Sequence, residues 1–142
     1  VLQKQIAVIT PYNAQVSHLR STLKEQLPDV EVGTVDGFQG REKEAIILSL
    51  VRSNNEAQVG FLSDERRLNV AITRAKRHVA IICDTDTISS DPFLNGLLEY
   101  ASKKDLPWRS ALEYGEDGER WIGVTPQGAG KGGKKGKGAK VP

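Results

Sequence analysis

Three stretches of this 142-residue sequence hold side chains able to handle a charged ligand. The first is Thr10-Pro11-Tyr12-Asn13-Ala14-Gln15, where an aromatic ring and two amides follow an apolar run. Tyr12 could stack on a nucleic-acid base; partly buried packing is the plainer alternative. The second runs from Val32 to Glu44 and includes Val35-Asp36-Gly37-Phe38-Gln39-Gly40-Arg41-Glu42. Gly37 and Gly40 would let backbone amides approach a ligand closely. Glu42 sets a carboxylate beside that turn, where it could accept from a ribose hydroxyl or an arginine; a solvated, glycine-stabilised loop would look the same. The third is Arg66-Arg67-Leu68-Asn69-Val70-Ala71-Ile72-Thr73-Arg74-Ala75-Lys76-Arg77. Arg67 and Arg74 are seven residues apart, two helical turns, which predicts a shared face with Arg77 near the stripe. A guanidinium on a packed helix suits a phosphate, because its fork of donors is rigid and always charged. A solvated basic face is the alternative.

These stretches need elements to position them. Ile6 to Thr10 has the character of a buried strand, and Asn13 can cap the helix that follows. Val16, Leu19, Leu23 and Leu27 recur at helical spacing until Pro28. Glu31 to Val35 and Ala45 to Val51 predict a second and a third strand. Asp64 to Lys76 predicts a helix with Leu68, Ala71, Ile72 and Ala75 on its apolar face, and His78 to Asp84 a fourth strand. Asp91-Pro92 opens a last helix, Phe93 to Lys104, with Leu94, Leu97 and Leu98 inward; proline suits the first helical turn. Continuous apolar strands separated by helices predict an α/β fold, a parallel sheet covered on both faces. Ligands in such sheets sit outside the carboxyl ends of the strands. That rule puts weight on Pro11 to Asn13, Asp36 to Gly40, Arg52 to Asn54, and Asp84.

Each stretch is ambiguous alone, but the three together, in this order, resemble successive motifs of the second RecA-like domain of superfamily 1 helicases. The match is to the patterns T-P-Y-x-x-Q, V-D-x-F-Q-G-x-E and R-R-L-N-V-A-x-T-R-A. The wording of Val35 to Glu44, Val51 to Asn54 and Gly60-Phe61-Leu62 is similar to the branch containing the nonsense-mediated-decay helicase, and most similar to its immunoglobulin-mu-binding members. The resemblance covers about residues 5–115. It implies a RecA-like fold of the P-loop NTPase type and a role as half of an ATP-dependent 5′–3′ RNA/DNA helicase. It implies that ATP and Mg²⁺ lie between this domain and a first RecA-like domain, with single-stranded RNA or DNA running across both. On that reading Arg74 is the arginine finger and the catalytic residue. Gly40, Glu42 and Arg67 join Arg74 as nucleotide-binding positions, with Arg67 in a supporting part. Pro11, Tyr12, Asn13, Thr34 and Asp36 match positions near the nucleic-acid path, where contacts should go mostly to phosphate and sugar.

The departures from the family pattern carry equal weight. The sequence holds no credible phosphate loop, no Asp-Glu motif for Mg²⁺ and no adenine-recognising glutamine motif. Gly128 to Lys135 comes near G-x-x-x-x-G-K-[ST], but a lysine stands in the hydroxyl position and no strand or helix flanks it. The front of the domain is expected to lie outside this sequence, which has no methionine at all and so is expected to be a fragment. The phosphates and Mg²⁺ are then held chiefly by the absent half, and this chain alone is expected neither to hydrolyse ATP nor to unwind duplexes. A catalytically inert, truncated nucleic-acid-binding module is the alternative.

Residues 1–115 are expected to be the RecA-like domain and 116–142 a flexible tail, of low complexity from about residue 126. The formal charge of +2 is uneven: Pro126 to Pro142 holds five lysines and no acid, so the remainder is net acidic and the overall pI says little about the domain. Those lysines could attract nucleic acid or merely solubilise the end. Asp84, Asp86 and Asp91 could suggest a metal site, but nothing in the sequence fixes their geometry, and loop and capping roles are the plainer reading. Cys83 is the sole cysteine, so it forms no internal disulfide, and its apolar surroundings predict a packed thiol in a reducing cytoplasm or nucleus. No apolar run approaches the roughly 20 residues of a membrane span. A monomer with no membrane partner is expected.

Overall fold

The computed structural model describes residues 2–104 and 106–107. The Gly/Lys-rich tail, its phosphate-loop-like stretch and the expected domain end near residue 115 lie outside the described residues.

Four strands form one parallel sheet: β1 (Ile6–Thr10), β2 (Glu31–Thr34), β3 (Lys43–Ser49) and β4 (Ala75–Ile82), in the order β2-β1-β3-β4. Central β1 pairs Val8 with Val32 on one side and with Ile47 on the other, and Thr10 lies opposite Thr34. The helices are α1 (Asn13–Leu23), α2 (Glu65–Ile72), α3 (Thr85–Ile88) and α4 (Pro92–Lys103).

Strand side chains alternate between the two faces, and two apolar clusters follow from this. Val8 and Val32 pack with Val16 of α1 and with half-buried Leu19, Leu23 and Ile47. Ala7, Ile9, Ile46 and Leu48 face the other way, onto Leu68 and Ala71 of α2, Leu94 of α4, Ile88 and Phe38. The sheet is therefore covered on both sides, as the unbroken apolar strands require. Arg20 ties α1 down by donating from Nε and Nη2 to the Val32 carbonyl at 3.1 and 2.8 Å.

Several boundaries differ from the sequence expectation. Tyr12, not Asn13, is the N-cap of α1, and no side chain caps it. The helix ends at Leu23, short of Pro28, and Leu27, the last residue of the expected apolar stripe, finds only an exposed position. Strand β3 ends at Ser49, and Val51 beyond it takes φ 68° in a tight turn closed by Arg52 N–H donating to the Leu50 carbonyl at 2.7 Å. The largest difference concerns the third stretch. Helix α2 stops at Ile72, and β4 starts at Ala75 rather than His78. Thr73 donates its hydroxyl back to the Asn69 and Val70 carbonyls, and the Arg74 carbonyl accepts from Lys43 N–H, which opens the β3–β4 ladder. Sheet pairing outcompetes another helical turn. The helical face expected to carry Arg67, Arg74 and Arg77 together does not form: Arg67 is helical, Arg74 lies in the turn, and Arg77 is in β4.

Two charged nests at opposite ends of the sheet

The connection from β2 to β3 decides where the second stretch falls. The strands are parallel, so residues 35–42 must travel back from the carboxyl end of β2 to the amino end of β3. They do so along β2. Phe38 is buried against Gly33, where an added Cβ would lie 3.0 Å from the ring and press it aside. Further on, Arg41 forms an ion pair with Glu31, the first residue of β2. Asp36 thus stays at the carboxyl end, while Gly40 (φ 77°) and Glu42 are carried away from it. The carboxyl-end rule, which had grouped Asp36 to Gly40, holds for only the first part of that stretch.

At the amino end, Arg74 meets this returning segment. Its Nη1 donates to the Arg41 carbonyl at 3.4 Å, its Nε to the Val70 carbonyl at 3.0 Å and its Nη2 to Thr73 Oγ1 at 3.2 Å. Among the described residues these bonds engage three of the five guanidinium N–H groups, which leaves two for an anion. Glu42, next to Arg41, pairs with Lys76 at 2.8 Å. The hydrogen bond and charge of Glu42 raise the Lys76 pKa above its ordinary value. Burial alone would raise the Glu31 pKa, but hydrogen bonds from Arg41 and Lys43 outweigh it and hold that carboxyl below the usual range. Lys43 also donates to the Lys4 carbonyl at 2.7 Å. Sequence reasoning had placed Gly40, Glu42 and Arg74 together, and the fold brings these segments to one place.

Arg67 is elsewhere. Helix α2 runs back along the sheet from Glu65 to Ile72, so Arg67 lies in its first turn while Arg74 lies beyond its last. Its guanidinium is 3.5 Å from Asp36 and 3.5 Å from Asp64. Asp64 also caps α2 by accepting from Arg67 N–H at 3.3 Å. The fold therefore joins Arg67 to Asp36, one of the positions assigned to the nucleic-acid path, rather than to the other nucleotide-side residues.

The remaining path candidates sit at the carboxyl ends of adjacent β1 and β2. Thr34 Oγ1 accepts from Gly37 N–H at 3.1 Å, Asn13 is exposed as the first residue of α1, and Pro11 lines a small crevice with Phe61, Asp64 and Arg67. Tyr12 is held firmly. Its hydroxyl accepts from Arg52 Nε at 2.8 Å, the Arg52 guanidinium lies 5.4 Å from its ring centroid, and the Phe61 ring is 6.0 Å away at 53°. Arg52 and Phe61 went unassigned from sequence. Arg52 had been weighted only as a residue past a strand, and nothing local links it to a tyrosine forty positions earlier.

The aspartates have structural partners. Asp84 caps α3, accepts from Ser53 Oγ at 2.6 Å and from Thr87 Oγ1 at 2.9 Å, and these hydrogen bonds lower its pKa. Asp91 accepts from Phe93 and Leu94 N–H, both at 3.0 Å, at the start of α4. No group of three or more His, Cys, Asp or Glu among the described residues is placed to hold a metal ion. Cys83 is half-buried, and burial pushes its thiol above the ordinary value. Among the described residues no helix is long and apolar enough to cross a membrane.

A parallel sheet covered on both faces, with an arginine on a turn beside a glycine–carboxylate segment, defines an α/β domain of the RecA-like class. Residues 1–86 match the family model described as AAA domain. The DNA-binding protein SMUBP-2 of Rattus norvegicus is 54% identical over 112 residues, 79% of this chain and 11% of that protein. The DNA polymerase alpha-associated DNA helicase A of Schizosaccharomyces pombe is 64% identical over 85 residues, 60% of this chain and 13% of that protein. The Regulator of nonsense transcripts 1 homolog of Arabidopsis thaliana is 47% identical over 107 residues, 70% of this chain and 8% of that protein. The chain belongs to this AAA-domain family, as a superfamily 1 helicase C-terminal domain. It spans about a tenth of the length of the curated relatives it matches.

Proposed function

We propose that this chain is the second RecA-like half of an ATP-dependent 5′–3′ helicase, and that Arg74 is the arginine finger acting on ATP held by a first RecA-like half. One observation carries the reading: the Arg74 guanidinium reaches the Arg41 carbonyl, which sets it beside Gly40 and Glu42 although they are more than thirty residues apart in sequence. Phosphoryl transfer needs positioning and charge neutralisation rather than covalent help, and a guanidinium at the transferring group is worth roughly 10³–10⁵ in rate. Two unengaged N–H donors suit Arg74 to a γ-phosphate oxygen, and Glu42 suits a ribose hydroxyl or the arginine itself. The described residues do not fit Mg²⁺, so the reading assigns that ion to the first half together with the triphosphate. Pro11, Tyr12, Asn13, Thr34 and Asp36 would then line the single-strand path, on RNA or DNA, at the other end of the sheet. Relatives named as DNA-binding proteins and DNA helicases support the nucleic-acid part.

The test is reconstitution. This chain, mixed with the first RecA-like half and single-stranded RNA, should restore ATP turnover, and Arg74→Ala should abolish the gain. Steady turnover by the chain alone that disappears in Arg74→Ala would overturn the shared-site reading. A second reading, a catalytically inert nucleic-acid-binding module, draws support from the Tyr12–Arg52–Phe61 group, which is complete within this chain. Strand binding by the chain, with no gain in turnover on adding the first half, would favour it.

A further inference from the structure

We propose that Phe61 is the base-stacking residue of the single-strand path, presented by a platform of Tyr12, Arg52 and Gly60; this rests on the nucleic-acid reading above. The aromatic expected to stack on a base was Tyr12, but that ring is already engaged. Its hydroxyl accepts from Arg52 and the guanidinium lies against it, while it stays half-buried. Phe61 is the opposite case: it is 64% exposed, more than any other large apolar side chain among the described residues. It is nevertheless held in place. Leu62, the next residue, is buried in the core, Ser63 Oγ donates to the Gly60 carbonyl at 2.9 Å, and Tyr12 braces the ring from one side.

The backbone on both sides of the platform is strained toward this arrangement. Val51, a β-branched residue, takes φ 68° in the turn that aims Arg52 at Tyr12. A residue of that shape adopts positive φ only when its surroundings impose it, and such positions gather at binding sites. Gly60 has φ 57°, and a Cβ there would lie 2.7 Å from Arg52 Nη2. Glycine is thus favoured here by its conformation, and a side chain in its place would push the Arg52 guanidinium aside.

The occupant follows from the chemistry. An exposed aromatic face beside a guanidinium matches a base and its neighbouring phosphate, because stacking takes any base and the guanidinium takes the anion. The acids nearby, Asp36 and Asp64, are partly offset by the Arg67 they share. The crevice lined by Phe61, Pro11 and Arg67 holds about 10 Å³, too little for a base ring, so a base would lie on the outer face of Phe61 rather than insert behind it.

The experiment measures binding of the 142-residue chain to a labelled short oligouridylate and to an abasic strand of the same length. Phe61→Ala should weaken the base-bearing strand by about tenfold or more and leave the abasic strand unchanged. Phe61→Trp should restore the affinity. Equal loss on both strands overturns stacking in favour of an indirect effect on the loop. Unchanged binding in Phe61→Ala overturns it too, and would assign the exposed ring to a protein surface. No binding of either strand by the unaltered chain removes the nucleic-acid reading itself, and this inference with it.

Discussion

The two ends of the sheet are built from different physics. At the amino end, Arg41, Glu42, Lys43, Arg74 and Lys76 form a nest of ion pairs and carbonyl contacts around Glu31 and the Arg41 backbone. At the carboxyl end, Tyr12, Arg52 and Phe61 form an aromatic–guanidinium group beside two positive-φ positions, Val51 and Gly60, with Arg67 shared between Asp36 and Asp64 nearby. The first arrangement suits a compact, highly charged group that must be gripped and released. The second suits a flat, weakly polar surface. Under the proposed function the phosphate and the base fall to separate ends, so that neither ligand competes for the other's donors.

Arg74→Ala gives the sharpest separation. In the reconstituted two-domain enzyme it should lower ATP turnover by about 10³-fold or more, with strand affinity nearly unchanged in an anisotropy titration. A comparable loss of strand affinity would break the distinction between the ends. Phe38→Ala should strike both ends at once, because residues 35–42 link them and Phe38 is their buried anchor. A cost of about 3–5 kcal/mol in urea unfolding is expected for emptying an aromatic site. A smaller loss would mean that the ion pairs, not Phe38, fix the crossover. Gly60→Ala should cost on the order of 1 kcal/mol through its positive φ, and more if Arg52 cannot shift. It should weaken strand binding while sparing ATP turnover, and the reverse pattern would undo the assignment of Arg52 to the carboxyl end.

The smallest effect concerns pH. Glu31 has a folded pKa below its unfolded value, so its stabilisation is fully present above the ordinary glutamate range near about 4.3. It is lost as pH falls through the lower folded value. Thermal melts from pH 6 downward should show this loss in the unaltered chain and a reduced one in Glu31→Gln. Identical acid profiles would show that Arg41 and Lys43 are held by other groups.

The elements that position both sites were largely legible in the sequence. The central strands β1 and β3 announce themselves through the apolar runs Ile6 to Ile9 and Ala45 to Leu48, since burial on both faces leaves little room for polar residues. Edge strands β2 and β4, by contrast, carry polar residues such as Glu31, Lys76 and Arg77. The capping role of Asp91 follows from Pro92 beside it, whereas the short helix α3 that Asp84 caps had no counterpart in the sequence reading. Element ends were less legible. Arg74 read as helical because Leu68, Ala71, Ile72 and Ala75 continue the helical period, yet Ala75 belongs to β4. Local periodicity cannot weigh a further helical turn against a ladder with β3, since the competing partner, Lys43, lies more than thirty residues away.

Residue types and their order, by themselves, determined the family, the parallel α/β architecture and the candidates Gly40, Glu42 and Arg74 for an anionic ligand. Only the tertiary structure decided how those candidates divide in space. Parallel pairing forces residues 35–42 to cross the length of β2, which leaves Asp36 at one end and carries Glu42 to the other. Helix α2, running back along the sheet, separates Arg67 from Arg74 in the same way. The choice of Phe61 over Tyr12 as the exposed ring was likewise tertiary, because it depends on Arg52 donating to the Tyr12 hydroxyl across forty residues of sequence. Spacing along a chain states which side chains are near neighbours on one element; which end of the sheet they reach depends on strand direction, and that is settled only when the strands pair.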